Sequence, residues 1–73
     1  MKIGDIISNK RKELGLSIKE LSKRCGISST SLNKYEKHIC LPTISNLSKI
    51  SDALGLDYDE MYDILFKQKE SRN

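Results

Sequence analysis

Apolar residues recur at helical spacing in five short blocks, with glycines at several of the joints. Ile3, Ile6, Ile7 and Leu14 fall on one face of a first helix, and Gly15 can take the left-handed backbone that ends it. The segment "SIKEL" then supplies a capping box. The Ser17 hydroxyl can accept from the Glu20 backbone N–H while the Glu20 carboxylate reaches back to the Ser17 N–H. This second helix should bury Leu21 and Cys25 and stop at Gly26. Ser28 suits the N-cap of a third helix, in which Leu32 and Tyr35 face inward and Ser29, Thr30, Asn33, Lys34 and Lys37 lie on the other side. After a loop with the sole proline, Pro42, Thr43 can cap a fourth helix whose Ile44, Leu47, Ile50 and Leu54 repeat at helical spacing until Gly55. Asp57 and Glu60 repeat the cap-and-box spacing and open a fifth helix with Tyr58, Met61, Tyr62 and Leu65 on one stripe.

No strand-like alternation competes with this pattern, so the expected fold is all-α, a compact bundle of five short helices. The 73 residues suffice for one domain, expected over residues 1–66, with the polar segment "KQKESRN", 67–73, as a C-terminal tail. A chain this small has little room for a deep active site. It also lacks a nucleophile–base set, a Gly-rich phosphate loop or a carboxylate pair with a pocket, so the sequence points away from an enzyme.

Charge adds a direction. Residues 1–42 carry nine Lys/Arg against four Asp/Glu, whereas residues 43–73 carry four against six, so the first half is +5 and the second −2. A basic half on a small domain suits a polyanion, because each neutralised phosphate releases condensed counterions. No apolar run approaches the roughly 18 residues that span a bilayer, which points to a cytoplasmic protein without a membrane partner. Cys25 and Cys40 are too few and too irregularly spaced for a disulfide framework, and with His38 they lack the ligand spacing of a structural zinc site. No metal, cofactor or small-molecule ligand is expected.

The second helix, the tight turn "CGIS" and the third helix have the spacing of a helix-turn-helix, locked by Leu21, Ile27 and Leu32. In that arrangement the third helix turns its N-terminal, non-core face toward a DNA major groove. Small hydroxyl side chains there let the backbone approach base edges closely, and hydroxyls can donate or accept once there.

At these residues the chain resembles the bacterial and phage repressors of the Cro/cI type, the XRE family of transcriptional regulators. The resemblance runs from Ile3 to about Phe66 through "RKELGLSIKELSKRCGIS", "SLNKYEKH" with its Tyr-Glu, Pro42 six residues after Glu36, and "LSKISDALGLDYDEM". It implies a lambda-repressor-like fold, and it implies that Arg11 and Glu36 form a structural ion pair between the first and third helices. Ser29, Thr30 and Asn33 fall where bases are usually faced. Lys34 joins them as a candidate base contact, at a position where phosphate is also held. Ser17, Ile18, Lys19, Ser28, Lys37 and Thr43 are the candidate phosphate contacts. Ile18 stands where glutamine is usual, so Lys19 and the backbone amides must serve there, and His38 replaces a common glycine.

The reading is a sequence-specific double-stranded DNA-binding regulator, foremost a repressor that occupies an operator. It is expected to act as a homodimer through Tyr58, Met61, Tyr62 and Leu65. An antitoxin or adaptor-type interaction module on the same fold is the alternative, and an activator touching polymerase through the acidic fifth helix is a further one.

Overall fold

Each of four helices begins at a side chain that satisfies backbone N–H groups of its first turn, and the remaining one borrows such a group from elsewhere. The computed structural model describes residues 2–70. Within them the chain forms α1 (Ile3–Glu13), α2 (Ile18–Cys25), α3 (Ser29–Glu36), α4 (Ile44–Leu54) and α5 (Tyr58–Glu70), with no strand among the described residues. The expected capping box is complete: Glu20 N–H donates to Ser17 Oγ at 3.0 Å and Ser17 N–H to Glu20 Oε1 at 2.9 Å. Ser28 accepts from Ser31 N–H, Thr43 from Asn46 N–H, and Asp57 Oδ1 from Asp59 N–H. Helix α1 has no cap of its own. Its Ile3 N–H donates instead to Gln68 Oε1 at 2.8 Å, which ties the start of the domain to the end of α5.

Helix α4 packs on α5, α2 and α1, while α1 and α2 both pack on α3. Ile7, Leu21, Leu32, Leu47 and Ile50 form the fully buried centre, and Pro42 seals it from the α3–α4 loop. Gly26 and Gly55 end α2 and α4 in the left-handed conformation, as their positions predict.

Four expectations need correction. Leu14 is exposed, because it lies past the last turn of α1, and Leu16 beyond Gly15 is buried in its place. Ile44 is half exposed at the first position of α4, where the helix has only begun to turn its apolar side inward. Helix α5 continues past Phe66, so Lys67–Glu70 are helical rather than tail, held by the Lys67–Asp63 pair and by Gln68 on α1. The rest of that expected tail, residues 71–73, lies outside the described residues. Finally, the stripe assigned to a dimer contact divides. Met61 and Leu65 are 2% and 1% exposed inside this chain's own core, whereas Tyr62 is 40% and Phe66 49% exposed, and Tyr58 is partly buried. The chain's own core consumes Met61 and Leu65, so neither can face a partner.

One close approach sets the position of α3. Gly4, buried in α1, lies so near the C-terminal end of α3 that a Cβ there would collide with the Tyr35 carbonyl oxygen and sit 3.0 Å from His38 Nδ1. His38 follows directly, with φ +62°, the left-handed region that a glycine commonly fills at this position in the family it resembles. Its Nε2 lies 3.1 Å from Asp5 Oδ1 on α1, a contact that offsets part of the cost of that backbone conformation. Gly4→Ala is expected to push α1 and α3 apart and destabilise the domain by about 2 kcal/mol, as overpacking against backbone does. Thermal unfolding checks it: a variant that melts with the parent would mean the two helices have slack at this crossing.

Candidate nucleic-acid interface

The α2–turn–α3 unit is built from short-range bonds. Gly26 turns the chain with φ +71°, its N–H donating to the Ser22 carbonyl, and the Ser22 hydroxyl donates to the carbonyl of Ile27 across the turn. Ile27 is buried, so the turn is pinned to the core before α3 begins. Ser28 then uses its hydroxyl locally, accepting from Ser31 N–H and lying 3.0 Å from the Ser31 hydroxyl.

Helix α3 has only eight residues, and it spends just Leu32 and Tyr35 on the core. Thr30, Asn33, Lys34 and Lys37 are exposed and Ser29 is half buried at the first position. None of these five side chains has a hydrogen-bond or ion-pair partner among the described residues. They remain open to an external donor or acceptor.

The candidate phosphate contacts sit at three helix starts. Ser17, Ile18 and Lys19 open α2, Ser28 precedes α3, and Thr43 precedes α4. Ser17, Lys19, Ser28 and Thr43 are exposed, as is Lys37 at the C-cap of α3. Ile18 differs: its side chain packs against the core, which leaves only its backbone N–H for an anion.

Beneath this face the end of α3 is clamped from two sides. Arg11 meets Glu36 in a fork, Nε to Oε2 at 2.7 Å and Nη2 to Oε1 at 2.9 Å, with both side chains about nine-tenths buried. Its third nitrogen, Nη1, donates to the Leu16 carbonyl at 2.7 Å, so the guanidinium also fixes the α1–α2 turn. The hydrogen bond to Glu36 raises the Arg11 pKa above its already high ordinary value, so the group stays charged throughout. From the other side, Asn46 of α4 donates Nδ2–H to the Tyr35 hydroxyl at 2.9 Å. The Arg11–Glu36 pair was expected from the resemblance. Gly4, the Asn46–Tyr35 bond and the His38–Asp5 contact were not, and only the His38-for-glycine replacement signalled any of them.

A family model described as helix-turn-helix matches residues 7–61. The chain belongs to the Cro/cI-type helix-turn-helix family, also called XRE. Its members are DNA-binding transcription regulators rather than enzymes. The chain is 43% identical over 61 residues to the cryptic phage CTXphi transcriptional repressor RstR of Vibrio cholerae serotype O1, a match covering 84% of this chain and 54% of RstR. It is 39% identical over 56 residues to the ImmF control region 10 kDa protein of Bacillus phage phi105, covering 77% of this chain and 62% of that protein. The chain thus spans somewhat over half the length of these relatives. Among solved structures it is similar to SinR, the Bacillus subtilis master regulator for biofilm formation, in complex with DNA. That likeness has a TM-score of 0.76 at 31% identity, over 82% of this chain and 97% of the SinR chain. No helix among the described residues is long and apolar enough to cross a membrane.

Arg11→Ala is expected to cost on the order of 3 kcal/mol, because it leaves the Glu36 carboxylate nearly buried without its partner and frees the Leu16 carbonyl. The loss should appear in the melting temperature without any DNA present. An unchanged melt would contradict a structural role for the pair.

The α2 start carries a pH-dependent contribution. Hydrogen bonds from the Ser17 backbone and side chain lower the Glu20 pKa from 4.5. The folded state therefore binds this proton more weakly than the unfolded chain. The stabilisation is fully present above pH 4.5 and is lost as pH falls through the lowered folded value. Glu20→Gln should remove this slope from acid unfolding while leaving the neutral-pH structure intact; a variant with the parental acid titration would rule the linkage out.

Proposed function

We propose that this chain binds a specific duplex DNA sequence and represses transcription by occupying an operator, with α3 in the major groove and two copies on paired half-sites. The observation that carries the reading is the outward face of α3. Thr30, Asn33, Lys34 and Lys37 stand exposed without intrachain partners, on a helix whose far end is clamped to α1 and α4. A rigid helix with uncommitted polar side chains is what groove reading requires, since the ordering cost has been met in the free protein. The repressor RstR and the SinR–DNA complex support the same direction. Repression by occupancy needs no more than tight, specific binding in the cytoplasm, and two symmetric copies would read half-sites roughly 10 base pairs apart.

Within the face, roles divide by chemistry. The Asn33 amide can donate and accept in one plane and so match the N6/N7 edge of adenine, with Ser29, Thr30 and Lys34 beside it on the bases. Lys37, at the C-cap, lies too far along α3 to enter the groove deeply and meets a phosphate. Ser17, Lys19, Ser28, Thr43 and the Ile18 amide complete the backbone contacts, each at a helix start where N–H groups and the dipole favour an anion.

Selection of bound sequences from random duplexes supplies the operator for the test. Asn33→Ala should cost about 1–3 kcal/mol on that operator and little on a single-base variant, relaxing preference at one base pair per half-site. Lys37→Ala should weaken all duplexes alike and lower the salt-dependence slope by about one. Equal losses for Asn33→Ala on both duplexes would remove Asn33 from base reading, and an empty selection would defeat the DNA-binding reading itself.

A further inference from the structure

Helix α1 holds the end of α3 at two points. Toward its C-terminus Arg11 forks onto Glu36, and in its first turn Gly4 meets the Tyr35 carbonyl while Asp5 Oδ1 lies 3.1 Å from His38 Nε2. The two points are about 10 Å apart along α1. Either one alone would act as a pivot, whereas together they fix the direction of α3. The Arg11 point is secured by its own fork. The first turn lacks such a fastening: its N-cap, Lys2, makes no side-chain cap bond, and Ile3 is 1% exposed, so the Ile3 N–H depends on a protein acceptor. That acceptor is Gln68 Oε1, 65 residues away in sequence and 2.8 Å away in space.

Beyond Leu65, Phe66, Lys67, Lys69 and Glu70 are exposed and Gln68 is half-buried, so it is Gln68 that faces the domain from the last turn of α5. We infer that Gln68 is a positioning residue for DNA reading: by holding the first turn of α1 it maintains the second point of the crossing, and with it the direction of α3. This rests on the DNA-binding reading above and adds to it a residue of α5, which belongs to none of the groove or phosphate contacts.

The consequence is for discrimination more than for affinity. Helix α3 has eight residues, roughly 12 Å, so a tilt of about 5° at its clamped end moves its first residue by roughly 1 Å. Directional hydrogen bonds to base edges do not survive a shift of that size, whereas lysines on flexible stems keep their phosphates. Without Gln68 the chain therefore still binds DNA but distinguishes sequences less well.

Two variants and two measurements test this. Gln68→Ala removes the acceptor, while Gln68→Glu keeps an oxygen at the same reach, and a carboxylate suits the N-terminus of α1. The first measurement is the ratio of affinity for the selected operator to affinity for a random-sequence duplex, taken well below the melting temperature. The ratio should fall about tenfold in Gln68→Ala, within the range by which residues outside a site modulate it, and return to the parental value in Gln68→Glu. A loss of stability alone would reduce the folded fraction and weaken both duplexes equally, leaving the ratio unchanged. The second measurement is amide hydrogen exchange without DNA. The His38 and Ile39 amides, which close the end of α3 on the Tyr35 and Lys34 carbonyls, should exchange about tenfold faster in Gln68→Ala, beyond any change at the Leu21 amide in the first turn of α2. If selection yields no operator, the DNA-binding reading fails and the exchange measurement alone judges the coupling. An unchanged ratio, exchange at His38 and Ile39 that only follows Leu21, or a Gln68→Glu variant no better than Gln68→Ala would each overturn the proposal.

Discussion

One guanidinium holds α3 in place. Arg11 spends its planar fork on Glu36, the last residue of α3, and its remaining nitrogen on the carbonyl of Leu16, where the chain leaves α1 for α2. The α1–α2 turn five residues on and the end of α3 twenty-five residues on converge on one rigid group. Lysine could not substitute, because a point charge on a flexible stem cannot satisfy two carboxylate oxygens and a carbonyl in fixed directions. The constraint matters because α3 has eight residues, too few for a helix to persist in water on its own. Its existence and its direction are both borrowed from α1, α2 and α4.

The clamp also explains the economy of α3. With Glu36 fixed to α1 and Tyr35 bonded to Asn46 of α4, two apolar side chains are enough to anchor the helix, and the remaining positions are free of structural duty. Gly4 works to the same end by letting α1 approach the final turn of α3 at backbone distance. The result is a short, well-held rod whose outer side carries hydroxyl, amide and ammonium groups. Were α3 anchored by a wider apolar stripe, fewer of its residues could have been polar and outward.

Much of the architecture was legible because it is written in local signals. The caps at Ser17, Ser28, Thr43 and Asp57 act within three residues, and Gly26 and Gly55 stop helices by their own backbone freedom, so spacing alone locates these boundaries. The polar face of α3 follows from the same periodicity that buries Leu32 and Tyr35. What escaped the sequence depends on how helices approach one another. In α5 the apolar stripe through Tyr58, Met61, Tyr62 and Leu65 is broader than the core can cover, and only the packing on α4 and α1 decides that Met61 and Leu65 go in while Tyr62 stays out. The crossing at Gly4, the Asn46–Tyr35 bond and the Gln68 cap on Ile3 span 11 to 65 residues of sequence or need an interhelical distance, neither of which a linear pattern contains.

The unequal charge of the two halves becomes intelligible in this frame. Residues 1–42 supply α1, α2 and α3 and carry +5, the sign that suits a polyanion. Residues 43–73, which include α4 and α5, carry −2. Along α5 the segregation is repeated at smaller scale, acid in the first turn and base in the last. That order stabilises the helix through its own dipole, with acid at the positive N-terminal end and base at the negative C-terminal end.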